Sequence, residues 1–143
     1  MISSVKFIDA SVFVHAYLKT KRLLKPHETE IKEAAKRIVA RVNVGERVVT
    51  TVVHFGEISN IFEDHMPLKD ALTIERALCL RENIAIAEAS QEDCISALDE
   101  AERHGVGVTD ALAYVIMKKQ GLDEVYSFNG DFDRFEGVKR VTT

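Results

Sequence analysis

Short apolar runs alternate with longer segments of helical periodicity along the whole sequence, and this alternation is what most constrains the fold. The runs that predict strands are VKFIDAS at 5–11, RVVTTVV at 47–53, IAIAEAS at 84–90, EVYSF at 124–128 and VKRVTT at 138–143. Helices are predicted at 12–18, 28–43, 54–65, from 67 to about 80, 91–104 and 110–121. Strands that alternate with helices predict an α/β domain with a mainly parallel sheet.

The length of 143 residues is that of one ordinary domain, and the 46% hydrophobic content is enough to bury a substantial core. We therefore expect residues 1–143 to form a single domain. No stretch approaches the roughly 18 consecutive apolar residues of a membrane span, and the terminus MISSVKF lacks the pattern of a signal peptide. We expect an intracellular, cytoplasmic protein with no membrane association.

The two cysteines give little support to a disulfide framework or a zinc site. Cys79 and Cys94 each lie in a helix-like run, with no partner at metal-ligand spacing. We interpret both as small residues in or near the core.

The net charge of −4 counts against a broad nucleic-acid surface, because phosphate binding normally needs clustered cations. One local basic run is nevertheless present, in a predicted loop at 19–28 that contains Pro26. Its cations are Lys19, Lys21, Arg22 and Lys25. This run could contact an RNA backbone, or it could be a solvated loop.

Acidic residues stand just after predicted strands or at the start of predicted helices. Asp9 closes the first strand, Glu57 lies early in the helix after the second, and Asp110 begins the apolar helix before the fourth. Asp131 and Asp133 follow the fourth strand. Ligands of open α/β sheets bind at the carboxyl ends of the strands, so these acids could converge there. Each also has a structural explanation, because acids are common in turns and first helical turns.

Several carboxylates in one cleft raise one another's pKa and reduce stability unless a cation compensates for their charge. Oxygen-rich sites without His or Cys ligands suit Mg²⁺ or Mn²⁺, and Mg²⁺ commonly completes its shell with substrate phosphate. The pattern therefore favours a phosphate-ester substrate and hydrolysis by a metal-activated water.

Polar neighbours of these acids have two interpretations. Ser11 could bond a metal-bound water or the Asp9 carboxylate, or it could cap the first helix. Thr109 is a reasonable N-cap for the helix that Asp110 opens, and Asn60 could face the same cleft one turn after Glu57. Two histidines, at positions 15 and 54, lie in apolar surroundings and are given no role.

The segments FIDASVFVHAY, VVHFGEISNIF, GVGVTDALAYVIMKKQG and VYSFNGDFDRFEGVKRV, in this order and at these separations, resemble the PIN-domain family of metal-dependent nucleases. The likeness is strongest to the VapC-type ribonuclease toxins of toxin-antitoxin pairs, and it spans nearly the whole chain. It implies a three-layer α/β/α sandwich with a mainly parallel sheet, and an acidic quartet that binds Mg²⁺ or Mn²⁺.

By position, the resemblance assigns the quartet to Asp9, Glu57, Asp110 and Asp131. The last segment departs from the family pattern, roughly Thr-x-Asp-x-Asp-Phe, because Asn129 stands at its first acidic place. An amide can bind a metal or a water but carries no charge, so a second ion would be held more weakly. The alternative fourth acid is Asp133, which could equally cap a short turn.

The leading hypothesis is a Mg²⁺- or Mn²⁺-dependent endoribonuclease, the toxin of a toxin-antitoxin pair. Asp9 and Asp110 would hold the principal ion, Glu57 and Asp131 would complete the site, and Ser11, Thr109, Asn129 and Asp133 would support it. The resemblance also implies a homodimer and an inhibitory antitoxin, with candidate interface residues on the helices at 28–43 and 68–80. Two rivals are a non-catalytic RNA- or protein-binding module and a Mg²⁺-dependent phosphatase, although the phosphatase would need an Asp-x-Asp motif on the first strand.

Overall fold

A computed structural model describes residues 5–143. The strands are β1 (Lys6–Ile8), β2 (Val48–Thr51), β3 (Ile84–Ala87), β4 (Glu124–Tyr126) and β5 (Lys139–Val141). The helices are α1 (Ala10–Tyr17), α2 (Pro26–Asn43), α3 (Val52–His65), α4 (Leu68–Leu80), α5 (Gln91–His104) and α6 (Val108–Gln120). A short 3-10 helix, Gly130–Arg134, lies between β4 and β5.

The five strands form one parallel sheet in the order β3-β2-β1-β4-β5. The chain builds outward from β1 to β3 and then returns to place β4 on the other side of β1. The point where the strand order reverses therefore lies between β1 and β4. In open α/β sheets this point opens a crevice at the carboxyl ends of the strands.

Alternate residues of each strand point to opposite faces of the sheet, and each face is buried by helices. Ile8 and Val48 belong to a core with apolar residues of α1 to α4, whereas Phe7 and Val49 belong to a second core with those of α5 and α6. The expected three-layer α/β/α sandwich with a parallel sheet is confirmed.

Every predicted strand is present but shorter than its apolar run, and β1 and β2 end early because α1 and α3 begin two residues sooner than expected. Thr51 ends β2 and caps α3, its hydroxyl accepting the backbone N–H of His54 at 3.1 Å. Pro26 was expected in a loop, but it is the first residue of α2, where its missing N–H costs nothing. At the start of α5, Ser90 and Asp93 form a capping box, each side chain accepting the other's backbone N–H at 3.0 Å.

The expectation that both cysteines are core residues is wrong for Cys79, which is exposed on α4; Cys94 is half-buried on α5. Leu78, the residue before Cys79, faces the core instead. Within residues 5–143, every helix is too short or too polar to cross a membrane.

Candidate functional site

Asp9 follows β1 and lies buried at the crevice between β1 and β4, with 4% of its surface exposed. Its backbone N–H donates to the carbonyl of Tyr126 at the end of β4. Ser127, the next residue and fully buried, donates its hydroxyl to Asp9 Oδ2 at 2.9 Å. The carboxylate is thus fixed by the neighbouring strand in the sheet.

Ser11 supports the loop after β4 and does not cap α1. That helix begins at Ala10 with Asp9 in the extended cap position, and no side chain bonds its first turn. The Ser11 hydroxyl accepts the backbone N–H of Phe128 at 3.1 Å and lies 3.4 Å from Ser127 Oγ. The expectation of a cap was wrong, because the helix begins two residues earlier than a cap at position 11 requires.

Asp110 lies in the first turn of α6 and is half-buried. Burial raises its pKa to about 6, the charges of Asp9 and Asp131 act in the same direction, and a hydrogen bond from Asn129 opposes them. In that bond, Asn129 Nδ2 donates to Asp110 Oδ2 at 3.1 Å. Gly107 occupies the cap position of α6, so the expectation that Thr109 is the N-cap is wrong; Thr109 is the second helical residue.

Glu57 lies in the middle of α3 and is half-buried. Burial raises its pKa, and the charges of Asp9 and Asp110 raise it further. All four predicted acids therefore interact electrostatically, although they come from four separate segments of the chain.

A cavity of about 240 Å³ opens between these acids. Its wall includes Asp9, Ser11, Glu57, Asp110 and Asn129, together with Ala10, Val14, His15 and Ile61. Asn60 is exposed and the wall does not include it, so its expected place in the cleft is wrong. The helical turn after Glu57 instead brings Ile61, four residues on, into the wall.

The two candidates for the fourth acid lie on the 3-10 helix outside this wall. Asp131 is half-buried, and its backbone N–H donates to Asn129 Oδ1 at 3.0 Å. Asp133 is exposed and pairs with Arg140, whose Nε and Nη2 each donate to it at 3.1 Å. This hydrogen-bonded pair lowers the pKa of Asp133. Asn129 is the side chain that enters the cavity from this segment, and a metal-binding role for Asp131 stays a prediction.

His54, to which sequence reasoning gave no role, is a fully buried polar side chain close to the site. Its Nδ1 lies 2.7 Å from Thr51 Oγ1, and its ring meets Phe7 edge-on at 5.1 Å. Burial lowers the pKa of His54, and the charge of Asp9 opposes this shift. Its Nε2 is buried without a hydrogen-bond partner among residues 5–143.

The basic run after α1 is partly engaged in structural contacts. Arg22 donates from Nη1 to Glu28 at 3.0 Å and forms an exposed ion pair with it. A further cation, Lys32 of α2, donates to the carbonyls of His15 and Leu18 at the end of α1. Lys19, Lys21 and Lys25 are exposed.

The donor set around the cavity fits a hard divalent cation that keeps part of its water shell. Within the part of the chain that the structure describes, no three His, Cys, Asp or Glu side chains are placed to hold a metal directly. Mg²⁺ needs only one or two protein carboxylates and reaches others through water. Burial and, after it, the neighbouring acids raise the pKa of Glu57 and Asp110, and such an ion would stabilise their charged forms.

A model of the PIN domain matches residues 6–138. The chain therefore belongs to the PIN domain family. A comparison with curated protein sequences finds no match.

Solved structures share this fold. VapC20 from Mycobacterium tuberculosis, described as a sarcin-ricin loop cleaving toxin, has a TM-score of 0.68 and 20% identity, covering 89% of this chain and 92% of that chain. A chain of VapBC2 from Rickettsia felis, bound to a DNA fragment from its promoter, has a TM-score of 0.64 and 10% identity. The match covers 96% of this chain and 97% of that chain. At these identities the likeness establishes the fold.

Proposed function

We propose that this protein is a divalent-metal-dependent endoribonuclease that acts as the toxin of a toxin-antitoxin pair. The observation that carries the proposal is the convergence of Asp9, Glu57 and Asp110 on one cavity at the reversal point of the sheet. Burial and the neighbouring carboxylates raise the pKa of Glu57 and Asp110, which is the electrostatic condition that a bound cation relieves.

In this proposal Asp9 and Asp110 hold Mg²⁺ or Mn²⁺, while Glu57 and Asp131 complete the site. Such an ion supplies a nucleophilic water at neutral pH and stabilises negative charge on the phosphate. Glu57, which lines the same cavity, would orient the attacking water. Ser127 and Asn129 keep the two principal carboxylates oriented through their hydrogen bonds.

An RNA substrate and an antitoxin partner are carried over from the relatives of known structure. One is described as a toxin that cleaves the sarcin-ricin loop, and the other belongs to a VapBC complex. A homodimer stays part of the proposal. Three exposed leucines of α4, Leu68, Leu72 and Leu80, are available for an interface, whereas none of the large exposed apolar residues found among residues 5–143 lies on α2.

The test is cleavage of a panel of structured and single-stranded RNAs with Mg²⁺, Mn²⁺ or EDTA. The wild-type protein is compared with Asp110→Asn and with the matched control Asp123→Asn, an exposed acid before β4 at the opposite edge of the sheet. We expect metal-dependent cleavage by the wild type and the control, and none by Asp110→Asn. Absence of cleavage by folded wild-type protein, freed of any copurified partner, would contradict the proposal.

Asn129 favours a second candidate, a non-catalytic RNA-binding module, because a neutral amide stands where the family pattern has an acid. Under this alternative, Asp9→Asn and Asp110→Asn would leave RNA binding largely unchanged, and the wild type would bind RNA without cutting it. Electrophoretic mobility and cleavage assays on the same RNA separate the two candidates.

A further inference from the structure

We propose that a groove between α2 and the end of β5 is a nucleotide subsite, which binds one base of single-stranded RNA against Phe128 and a neighbouring phosphate at Arg37. The inference rests on the proposed function and specifies its substrate as RNA with unpaired, unstacked bases. The groove has a volume of about 560 Å³, and Phe128, Arg37 and Arg140 are among its lining residues.

The groove and the acidic cavity share a wall. His15 lines the cavity, Phe128 lines the groove, and their rings meet edge-to-face with centroids 5.5 Å apart at 82°. Phe128 also immediately precedes Asn129, which bonds Asp110. An RNA strand with one phosphate at the acids therefore has an adjoining nucleotide within reach of the Phe128 ring.

The Phe128 backbone is held in place from two sides. Its N–H donates to Ser11 Oγ at 3.1 Å, and Arg140 Nη1 donates to the carbonyl of the preceding Ser127 at 3.4 Å. Arg140 is itself fixed by its two hydrogen bonds to Asp133. A half-buried aromatic ring on a fixed loop is a suitable stacking platform, because little conformational freedom is lost when a base binds.

The charges of the groove place the phosphate at Arg37. The positive charge of Arg140 is compensated by Asp133. Arg37, in contrast, is exposed and has no ion-pair partner among residues 5–143. Partial burial and the nearby Lys32 lower the pKa of His15, which reduces the positive charge that its ring contributes at neutral pH. Glu30 and Glu33 also line the groove, and Glu33 lies 3.8 Å from Lys36. The groove is therefore not strongly basic, and we expect stacking to supply most of the affinity.

The experiment uses the fluorescence of 2-aminopurine placed at one internal position of a single-stranded RNA dodecamer. The RNA is titrated with the Asp110→Asn protein in EDTA, so that binding is observed without cleavage. We expect quenching of the fluorophore, which Phe128→Leu abolishes while weakening binding about tenfold, the scale of one lost base stack. Phe128→Tyr keeps the aromatic face and should retain both the quenching and the affinity.

A second pair of variants tests the phosphate contact. Arg37→Gln should weaken binding severalfold and reduce the salt dependence of the affinity by about one counterion. Arg76→Gln, an exposed arginine on α4, is the matched control and should change neither property.

The outcomes separate this inference from the proposed function. Cleavage by the wild type, together with quenching and binding that are the same in folded Phe128→Leu and its parent, would overturn the subsite and leave the nuclease proposal standing. Quenching that depends on Phe128, without any cleavage by the wild type, would support the subsite and contradict the nuclease. Binding that is unaffected by Arg37→Gln would overturn the placement of the phosphate.

Discussion

Within residues 5–143, two clusters of carboxyl groups can be compared, and one of the two has the geometry of a site. The first is the group of Asp9, Glu57 and Asp110, which lines the cavity at the carboxyl edge of the sheet. The second is Glu75 of α4 with Glu63 of α3, where Glu75 is 7% exposed and its Oε2 is buried without a partner among residues 5–143. Burial raises the pKa of Glu75, as do a hydrogen bond to Glu63 and the charge of Glu63.

The two clusters have the same electrostatic signature but differ in what surrounds them. Glu75 packs between helices and lines neither the cavity nor the groove described above. A raised carboxyl pKa therefore indicates uncompensated burial wherever it occurs, and it points to chemistry only where strand ends and an open cavity accompany it. Variants of the two clusters are expected to behave differently.

The largest difference is expected in RNA cleavage. Asp110→Asn should lower the cleavage rate about a thousandfold or more, because the loss of a metal ligand removes several kcal/mol of charge stabilisation. Glu75→Gln should leave the rate unchanged. Initial rates on one RNA substrate test both, and a large loss of activity in folded Glu75→Gln would mean that the buried pair also serves the reaction.

The next difference concerns stabilisation by metal. An ion that binds only the folded protein adds about 2.7 kcal/mol at a hundredfold excess over its Kd, so Mn²⁺ should raise the Tm of the wild type by about 5–10 °C. Glu75→Gln should keep this rise and Asp110→Asn should lose most of it. Thermal denaturation with Mn²⁺ and with EDTA measures the effect, and an equal rise in all three proteins would locate the ion elsewhere.

A smaller effect is expected on stability without metal. The folded-state pKa of Asp110 lies above the ordinary aspartate value of 3.8, at about 6. Between about pH 4 and about pH 6 the folded state keeps a proton that the unfolded state releases, so stability falls as pH rises through this window. Asp110→Asn should therefore be more stable than the wild type at pH 7 by about 1 kcal/mol, after allowance for solvent screening of this half-buried group.

Chemical denaturation in EDTA at pH 4 and pH 7 tests this expectation. The advantage of Asp110→Asn should appear at pH 7 and shrink at pH 4. A variant that is less stable than the wild type at pH 7 would show that Asp110 supports the fold through its bond from Asn129 more than its charge costs.

The smallest effect separates the two acids of the 3-10 helix. Asp131→Asn should lower the pKa of Asp110, because the charge of Asp131 is one of the causes that raise it. Asp133→Asn should leave that pKa in place, since the Asp133 charge is compensated by Arg140. Titration of the Asp110 carboxyl carbon by NMR measures both, and equal responses would remove the reason for ranking Asp131 first.

Local sequence patterns were sufficient for the α/β class with its parallel sheet and for the position of three acids, whereas the three layers were implied by the resemblance to PIN domains. Apolar runs predict the strands, and an acid directly after a strand or early in a helix lies at the carboxyl edge of a parallel sheet. The helix caps at Ser11 and Thr109 were wrong, because the starting residue of a helix depends on backbone dihedrals that tertiary packing sets. In α6 the extended Gly107 takes the cap position instead.

Contacts between distant segments could not be predicted. The burial of Glu75 against Glu63 depends on how α3 and α4 pack, and nothing in either helix taken alone indicates it. The same holds for Asn129, whose contact with Asp110 spans 19 positions. An acid-to-amide difference at this place predicts a change of charge but not the hydrogen bond that the amide makes.

The bond between Ser127 and Asp9 also has a consequence for how the protein is made. These residues are 118 positions apart, and the sheet places β1 beside β4 across the point where its order reverses. Chains fold from the amino terminus during synthesis, and a pairing this distant in sequence forms late. A nascent chain thus carries Asp9 and Glu57 without a completed site until β4 and Ser127 have been made. If the protein is a toxin as proposed, the ribosome that makes it is exposed to its activity only after that point.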